Sequence, residues 1–241
     1  MFHIIYYIIT VYFLLGAIGF YFINKKKPSD IARQNWLKFF TYFIIINILF
    51  FSIVIRPIVF RYLAILIISV ALYELFKLFE KSGYKKIKVF LYANIVLWIN
   101  SIGFYIFSTL NKETILFTFL ILSIFDSFSQ ITGQLFGRKK LLPAISPNKT
   151  LGGLIGGSIT ALTGSIFLKG LYPKPITIVL MTVVGIIVFA FMGDLSASWY
   201  KRKFQAKDFS NLIPGHGGFL DRFDSLIAAS AWMAIIHFII F

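Results

Sequence analysis

Ser198–Asp224, SWYKRKFQAKDFSNLIPGHGGFLDRFD, is a polar, glycine-punctuated stretch set between two long apolar runs. Its 27 residues hold nine ionisable side chains: Lys201, Arg202, Lys203, Lys207, Asp208, His216, Asp221, Arg222 and Asp224. The chain as a whole is 59% hydrophobic and only 14% charged, so this density is far above its average. A membrane protein concentrates charge where it meets water, phosphate or metal. The stretch is therefore read as the functional centre, and the apolar runs on either side as spans.

Working outward, apolar runs of about 17 or more residues recur along the whole chain, and its mean hydropathy is +0.84. In lipid every backbone group must be satisfied within its own segment, so these runs are read as helices. Spans are expected at roughly 2–23, 36–55, 58–76, 89–109, 114–130, 151–171, 175–197 and 223–241. The fold class is all-α: a polytopic transmembrane protein of about eight spans. We divide it into an N-terminal half, 1–110, and a C-terminal half, 111–241, that carries the cytoplasmic loops 133–150 and 198–224. The first run lacks the basic start and small-residue cleavage site of a secretory signal.

Basic residues set the orientation. The segments expected inside include Lys25-Lys26-Lys27, Lys77 to Lys88, Arg138 to Lys149 and Lys201 to Arg222. The outside loops hold only Arg56, Arg61, Lys112, Lys169 and Lys174 of the 24 Lys and Arg. Orientation and attraction to anionic membrane lipids thus account for the formal charge of +15, and no nucleic-acid partner is expected. The absence of cysteine excludes disulfides, thiolate metal sites and a cysteine nucleophile.

Acids are scarce, and those of the second half fall near the cytoplasmic ends of spans. Asp126 is near the end of the fifth and Asp194 near that of the seventh; Asp221 and Asp224 open the eighth. A carboxylate in an apolar span is costly unless paired or metal-bound. Several on one face can hold a hard divalent cation. Asp208 is a further candidate ligand. Asp221 also has a plainer reading, as an acid favoured by a helix N-terminus. Asp194 and Ser198 share a helix face. Pro214-Gly215-His216-Gly217-Gly218 cannot be regular helix and can bring backbone N–H groups to an anion ahead of the last helix. Lys201, Arg202, Lys207 and Arg222 add fixed cations. Acids for Mg2+ and cations for phosphate oxygens are the parts of phosphoryl or nucleotidyl transfer. His216 is open to three roles: base, substrate contact or loop shaping. Upstream, Ser146 and Pro147 resemble a helix start. Gly152, Gly153, Gly156 and Gly157 have the spacing of a close helix–helix contact.

These segments resemble the phosphatidate cytidylyltransferase (CDP-diglyceride synthetase) family. The family signature is met by Ser198, Lys201-Arg202, Lys207-Asp208, Ser210, Ile213-Pro214, His216-Gly217-Gly218-Phe219 and Asp221-Arg222-Phe223-Asp224. Tyr200 departs from it mildly. Asp126 and the stretch from Phe136-Gly137-Arg138 to Ser146-Pro147-Asn148-Lys149-Thr150 look like the upstream motif. The resemblance is sharp over 126–224 and only hydropathic before that. It implies transfer of CMP from CTP to phosphatidic acid, giving CDP-diacylglycerol and pyrophosphate. It also implies Mg2+, with a second cation such as K+, at Asp194 and Asp221. Lys149, Ser146, Lys201 and Arg202 would bind substrate. The resemblance suggests a homodimer in the bacterial inner membrane with its active site towards the cytoplasm. The family commonly has Glu where this chain has Gly152, and often Ala-Tyr where it has Ser129-Gln130. Those departures keep open a relative acting on another phosphorylated lipid or isoprenoid alcohol. An ion-coupled transporter would place its acids at the midplane of repeated halves, and no repeat is evident.

Overall fold

The computed structural model describes residues 2–25 and 27–240; Lys26 of the first basic cluster and the terminal Met1 and Phe241 lie outside the described residues. Among the described residues eight α-helices follow one another: α1 Phe2–Asn24, α2 Ser29–Ile55, α3 Pro57–Lys81, α4 Ile87–Phe107, α5 Lys112–Phe136, α6 Leu151–Phe167, α7 Ile176–Lys203 and α8 Leu220–Ile240. Six of them, α2, α3, α4, α5, α7 and α8, are long and apolar enough to cross a membrane. The described apolar stretches in α1 and α6, Phe2–Ile18 and Leu151–Phe167, are shorter.

Helix limits follow local chemistry. Pro57 occupies the first turn of α3, where a missing N–H costs nothing, and a single extended residue, Arg56, separates α3 from α2. Asn111 caps α5 by accepting from the Thr114 N–H at 2.8 Å. α6 starts at Leu151, where the sixth span is expected, but Ser146-Pro147 do not open a helix. Ser146–Thr150 is instead a strand, β2, paired antiparallel with β1, Lys140–Leu142. Thr150 is the cap that wins: it is extended, and its hydroxyl accepts from the Gly153 N–H at 3.1 Å. Pro147 is tolerated because a two-stranded ribbon has free edges on both sides. At its other end α6 stops at Phe167, and a 3-10 turn, Lys169–Leu171, completes the segment.

α8 is the helix the others close upon, and glycines let them do so. A Cβ at Gly103 of α4 would lie 2.6 Å from Ala231 Cβ, and one at Gly185 of α7 would lie 2.0 Å from the Trp232 ring. The α6 glycines lie against α5 in the same way: a Cβ at Gly156 would meet Thr132, and one at Gly157 would meet Ser129 and the Phe125 carbonyl. The small-residue spacing of α6 thus marks a real helix contact. The buried core runs through Ile115–Phe117 of α5, Val183 and Ile186 of α7 and Ala229 and Met233 of α8. Large apolar side chains of α1 to α4, such as Ile8, Leu15, Ile44, Leu66 and Ile99, are exposed, as lipid-facing positions are.

The connections rich in Lys and Arg meet at one end of the bundle. Lys86, between α3 and α4, donates to the Lys203 carbonyl at the end of α7 at 2.5 Å. Arg202 Nε donates to the carbonyl of Ile145, between the two strands, at 3.3 Å. A Cβ on Gly215 would lie 3.0 Å from Lys38 Cγ of α2.

Candidate active site

Two of the expected acids are brought together by a third glycine. A Cβ on Gly193 of α7 would stand 2.7 Å from both Ala228 Cβ and the Asp224 carbonyl of α8. The helices therefore touch through backbone where Asp194 and Asp224 lie. Asp126, on α5, is exposed, and its charge acts on the same group of acids: Asp194 interacts electrostatically with both Asp126 and Asp224. Lys149, on β2, answers them. Its Nζ is 2.6 Å from Asp194 Oδ2 and 4.3 Å above the Phe191 ring. Ser198 donates to Asp194 Oδ1 at 3.2 Å from one turn on. Ser146, at the other end of β2, is half-buried.

Asp221 is differently employed. Its Oδ1 accepts from Lys201 Nζ at 2.5 Å, and its Oδ2 accepts from the backbone N–H groups of Phe209 and Gly218, both at 2.8 Å. Lys201 is itself buried, with its ammonium 5.3 Å from the Phe209 ring. The pair ties the start of α8 to the end of α7 and to the loop between them.

Across that loop the backbone doubles back. Ile213 donates to the Gly217 carbonyl at 2.8 Å and His216 donates to that of Ile213 at 3.0 Å. Gly215 and Gly217 take φ of +74° and +84°, where a side chain would be strained. Arg222 Nε holds the His216 carbonyl at 3.0 Å. His216 is half-buried and stacks on Tyr42 of α2 at 6.4 Å between ring centroids. Burial, with the nearby charges of Arg222 and Lys38, holds its imidazole below the usual range, which favours the neutral form. Arg202 supports the Ile145 and Ala206 carbonyls. Lys207 and Asp208 are exposed at the mouth of the loop, Asp208 beside Gly217.

Besides Tyr42 and Lys38, a third residue of the site stands outside the expected set. Glu74 of α3 is fully buried. It accepts from Ser210 Oγ at 2.5 Å, the Phe219 N–H at 2.9 Å and the Leu220 N–H at 2.7 Å. Its position continues the buried stripe Phe60, Ala64, Ile67, Ala71, and an acid on an apolar stripe is the signal that would have found it.

A cavity of about 750 Å3 adjoins the acids. Tyr92, Val96 and Leu97 of α4, Phe189 and Trp199 of α7 and Ile227 of α8 wall it, and Asp224 and Asn100 are among its few polar groups. Among the described residues no three acid or histidine side chains are gathered closely enough to enclose a metal ion. Asp194 has both oxygens engaged, by Lys149 and Ser198, and Asp221 has both engaged by Lys201 and two backbone N–H groups, whereas Asp224 accepts at Oδ1 alone, from the Ser225 N–H.

The fold and site define a polytopic helical membrane protein with a cleft of acids and cations opening beside an apolar cavity. A sequence model of the cytidylyltransferase family matches residues 87–240, more than half of the chain, and the chain belongs to that family. It is similar to the phosphatidate cytidylyltransferase of Brucella melitensis biotype 1, at 42% identity over 124 residues, 49% of this chain and 44% of the relative. Similar matches are to the proteins of the same name from Staphylococcus saprophyticus subsp. saprophyticus, 41% over 131 residues, 52% of this chain and 50% of the relative, and Staphylococcus haemolyticus, 44% over 115 residues, 47% and 44%. The chain spans about half the length of the curated relatives it matches.

Proposed function

We propose that the protein transfers the cytidylyl group of CTP to phosphatidate at the cytoplasmic face of a bacterial membrane, forming CDP-diacylglycerol and releasing pyrophosphate. The observation that carries this reading is the meeting of an apolar cavity with a cleft of acids and cations at Asp224, in a member of the cytidylyltransferase family. The cavity suits acyl chains, and the cleft suits phosphates.

A phosphate monoester has its second pKa near ~6, so the lipid phosphate reaches the site largely as a dianion and needs no base. One of its oxygens attacks the α-phosphorus of CTP, forming a new P–O bond. The bond from the α-phosphorus to the α–β bridging oxygen breaks, and its electron pair leaves with pyrophosphate. Neutral His216 is then a shaper of the loop and a contact. Lys149 is the cation set among the acids, and Lys207, Arg202 and Arg222 line the loop over which the triphosphate would lie. Fixed cations of this kind stabilise charge as it moves to the leaving group. Asp194 and Asp224, with Asp126 near them, would supply carboxylate oxygens to a Mg2+ whose other ligands would come from the phosphates, and the ion would neutralise phosphate oxygens. Asp221 and Lys201 hold the loop and the start of α8 in register.

The test is incorporation of [3H]CTP into lipid by the detergent-solubilised chain with Mg2+ and phosphatidate, with phosphorylated isoprenols as competitors. Label in lipid that requires phosphatidate is the expected result. Label only with an isoprenyl phosphate would move the substrate, and no label with any acceptor in folded protein would sink the proposal.

A further inference from the structure

We infer that Glu74 is a positioning residue for this site, fixing the first turn of α8 and with it the placement of Asp221, Arg222 and Asp224. The inference rests on the site proposed above but draws on a helix, α3, that the family match does not reach.

The first N–H groups of a helix have no partner inside it and carry its positive dipole end. At the entry to α8 two carboxylates divide the N–H groups. Asp221 takes that of Gly218 in the loop before the helix, while Glu74 takes those of Phe219, just ahead of the helix, and of Leu220, its first residue. Glu74 reaches them from the other half of the chain, and its Ser210 contact fixes the loop that precedes the helix. Gly218 shows how close the fit is. A Cβ there would stand 2.5 Å from Glu74 Oε1 and 2.8 Å from Oε2. The second glycine of the His-Gly-Gly run is thus the space the Glu74 carboxylate occupies. The next residue of α3 holds the partner helix: Tyr200 of α7 donates its hydroxyl to the Leu75 carbonyl at 2.9 Å. One turn of α3 therefore grips both helices that carry the acids. A shift of Glu74 rotates or withdraws Asp224 relative to Asp194 without any contact of its own with substrate.

The experiment uses the full chain in detergent. Glu74→Gln keeps the size of the side chain but turns an N–H2 donor towards groups that are themselves donors. With phosphatidate and CTP, kcat is expected to fall about 10- to 100-fold. The KM for CTP should stay within about threefold, since the phosphate cations are untouched. Hydrogen exchange should quicken at the Phe219 and Leu220 amides and not in α5 or α6. Wild-type kcat together with wild-type protection at those two amides would overturn the inference. If Glu74→Gln does not fold, the paired variants decide. Gly218→Ala is expected to be impaired and to be partly rescued by Glu74→Asp, which withdraws the carboxylate by one methylene. A double variant no better than Gly218→Ala alone would overturn the inference too. Wild-type protein that labels no lipid would refute the proposed reaction, and the exchange at Phe219 and Leu220 would still decide the role of Glu74.

Discussion

Gly193→Ala adds one methyl group where α7 meets α8, beside Asp194. The new Cβ would lie 2.7 Å from Ala228 Cβ and 2.7 Å from the Asp224 carbonyl oxygen. Ordinary carbon–carbon contacts are ~3.5–4.0 Å, so the helices must part by about 1 Å. Neither neighbour is the tip of a flexible side chain, so the backbone has to give. Overpacking of this kind costs about 1–3 kcal/mol. Because the displacement falls on the pair of acids, it is expected to lower turnover about 100-fold. Gly185→Ala is the comparison. It lies two turns earlier on α7, about 12 Å along the axis. Its Cβ would meet the Trp232 ring at 2.0 Å, a harsher clash, in a place remote from the acids. Initial rates of [3H]CTP incorporation and thermal unfolding, followed by tryptophan fluorescence, should therefore give opposite orders. Gly185→Ala should lose more stability, and Gly193→Ala more activity. Equal activity losses, or wild-type turnover in Gly193→Ala, would refute the reasoning that this contact sets the spacing of the acids.

Lys149→Ala strips Asp194 of its ammonium and should lower kcat/KM for CTP about 10- to 100-fold, measured in the same assay. Gly152→Glu, which installs the residue common in the family, should destabilise this chain: its Cβ would lie 2.9 Å from the Phe136 carbonyl oxygen, and the expected loss is about 1–3 kcal/mol in thermal unfolding. His216 has its pKa lowered by burial and by Arg222 and Lys38, so the unfolded chain takes up that proton first. Its contribution to stability is complete above the unfolded value of about 6.5 and is lost as pH falls towards the folded value. Unfolding temperatures at about pH 7.5 and 5.5 should therefore differ less in His216→Gln than in the wild type.

The helices were legible because lipid leaves an apolar run few alternatives, but α2 begins before its apolar run, at Ser29, and α5 and α7 continue past theirs, to Phe136 and Lys203, because a helix can carry on through polar turns outside the lipid. The start of α6 at Leu151 falls where the sixth span was expected, but Ser146 and Pro147 were misread because they look like a helix cap in isolation. Pairing with Lys140–Leu142 drew that segment into a strand and left the cap to Thr150. Asp126, Asp194 and Asp224 were visible as acids near span ends, since charge in such places stands out. The employment of Asp221 was not visible, because the Phe209 and Gly218 N–H groups that fill its oxygen come from the fold of a loop. Tyr200 is a departure from the signature whose hydroxyl turns out to have a use on Leu75. Lys38 and Tyr42 were not assigned to the site because they belong to a helix far away in sequence that packing alone brings to the loop, and Glu74 offered only the signal of an acid on an apolar stripe, with no hint of its partners.

Glu74 and the Leu220 N–H it holds are 146 residues apart in the chain. A ribosome adding ~5–20 residues per second needs on the order of 10 s to cover that distance. For that time α3 sits in or near the bilayer with a carboxylate whose partners do not yet exist, a costly state for a nascent segment. α8 supplies what α3 lacks. A ribosome that stalls before α8 leaves a bundle marked by an unmet acid.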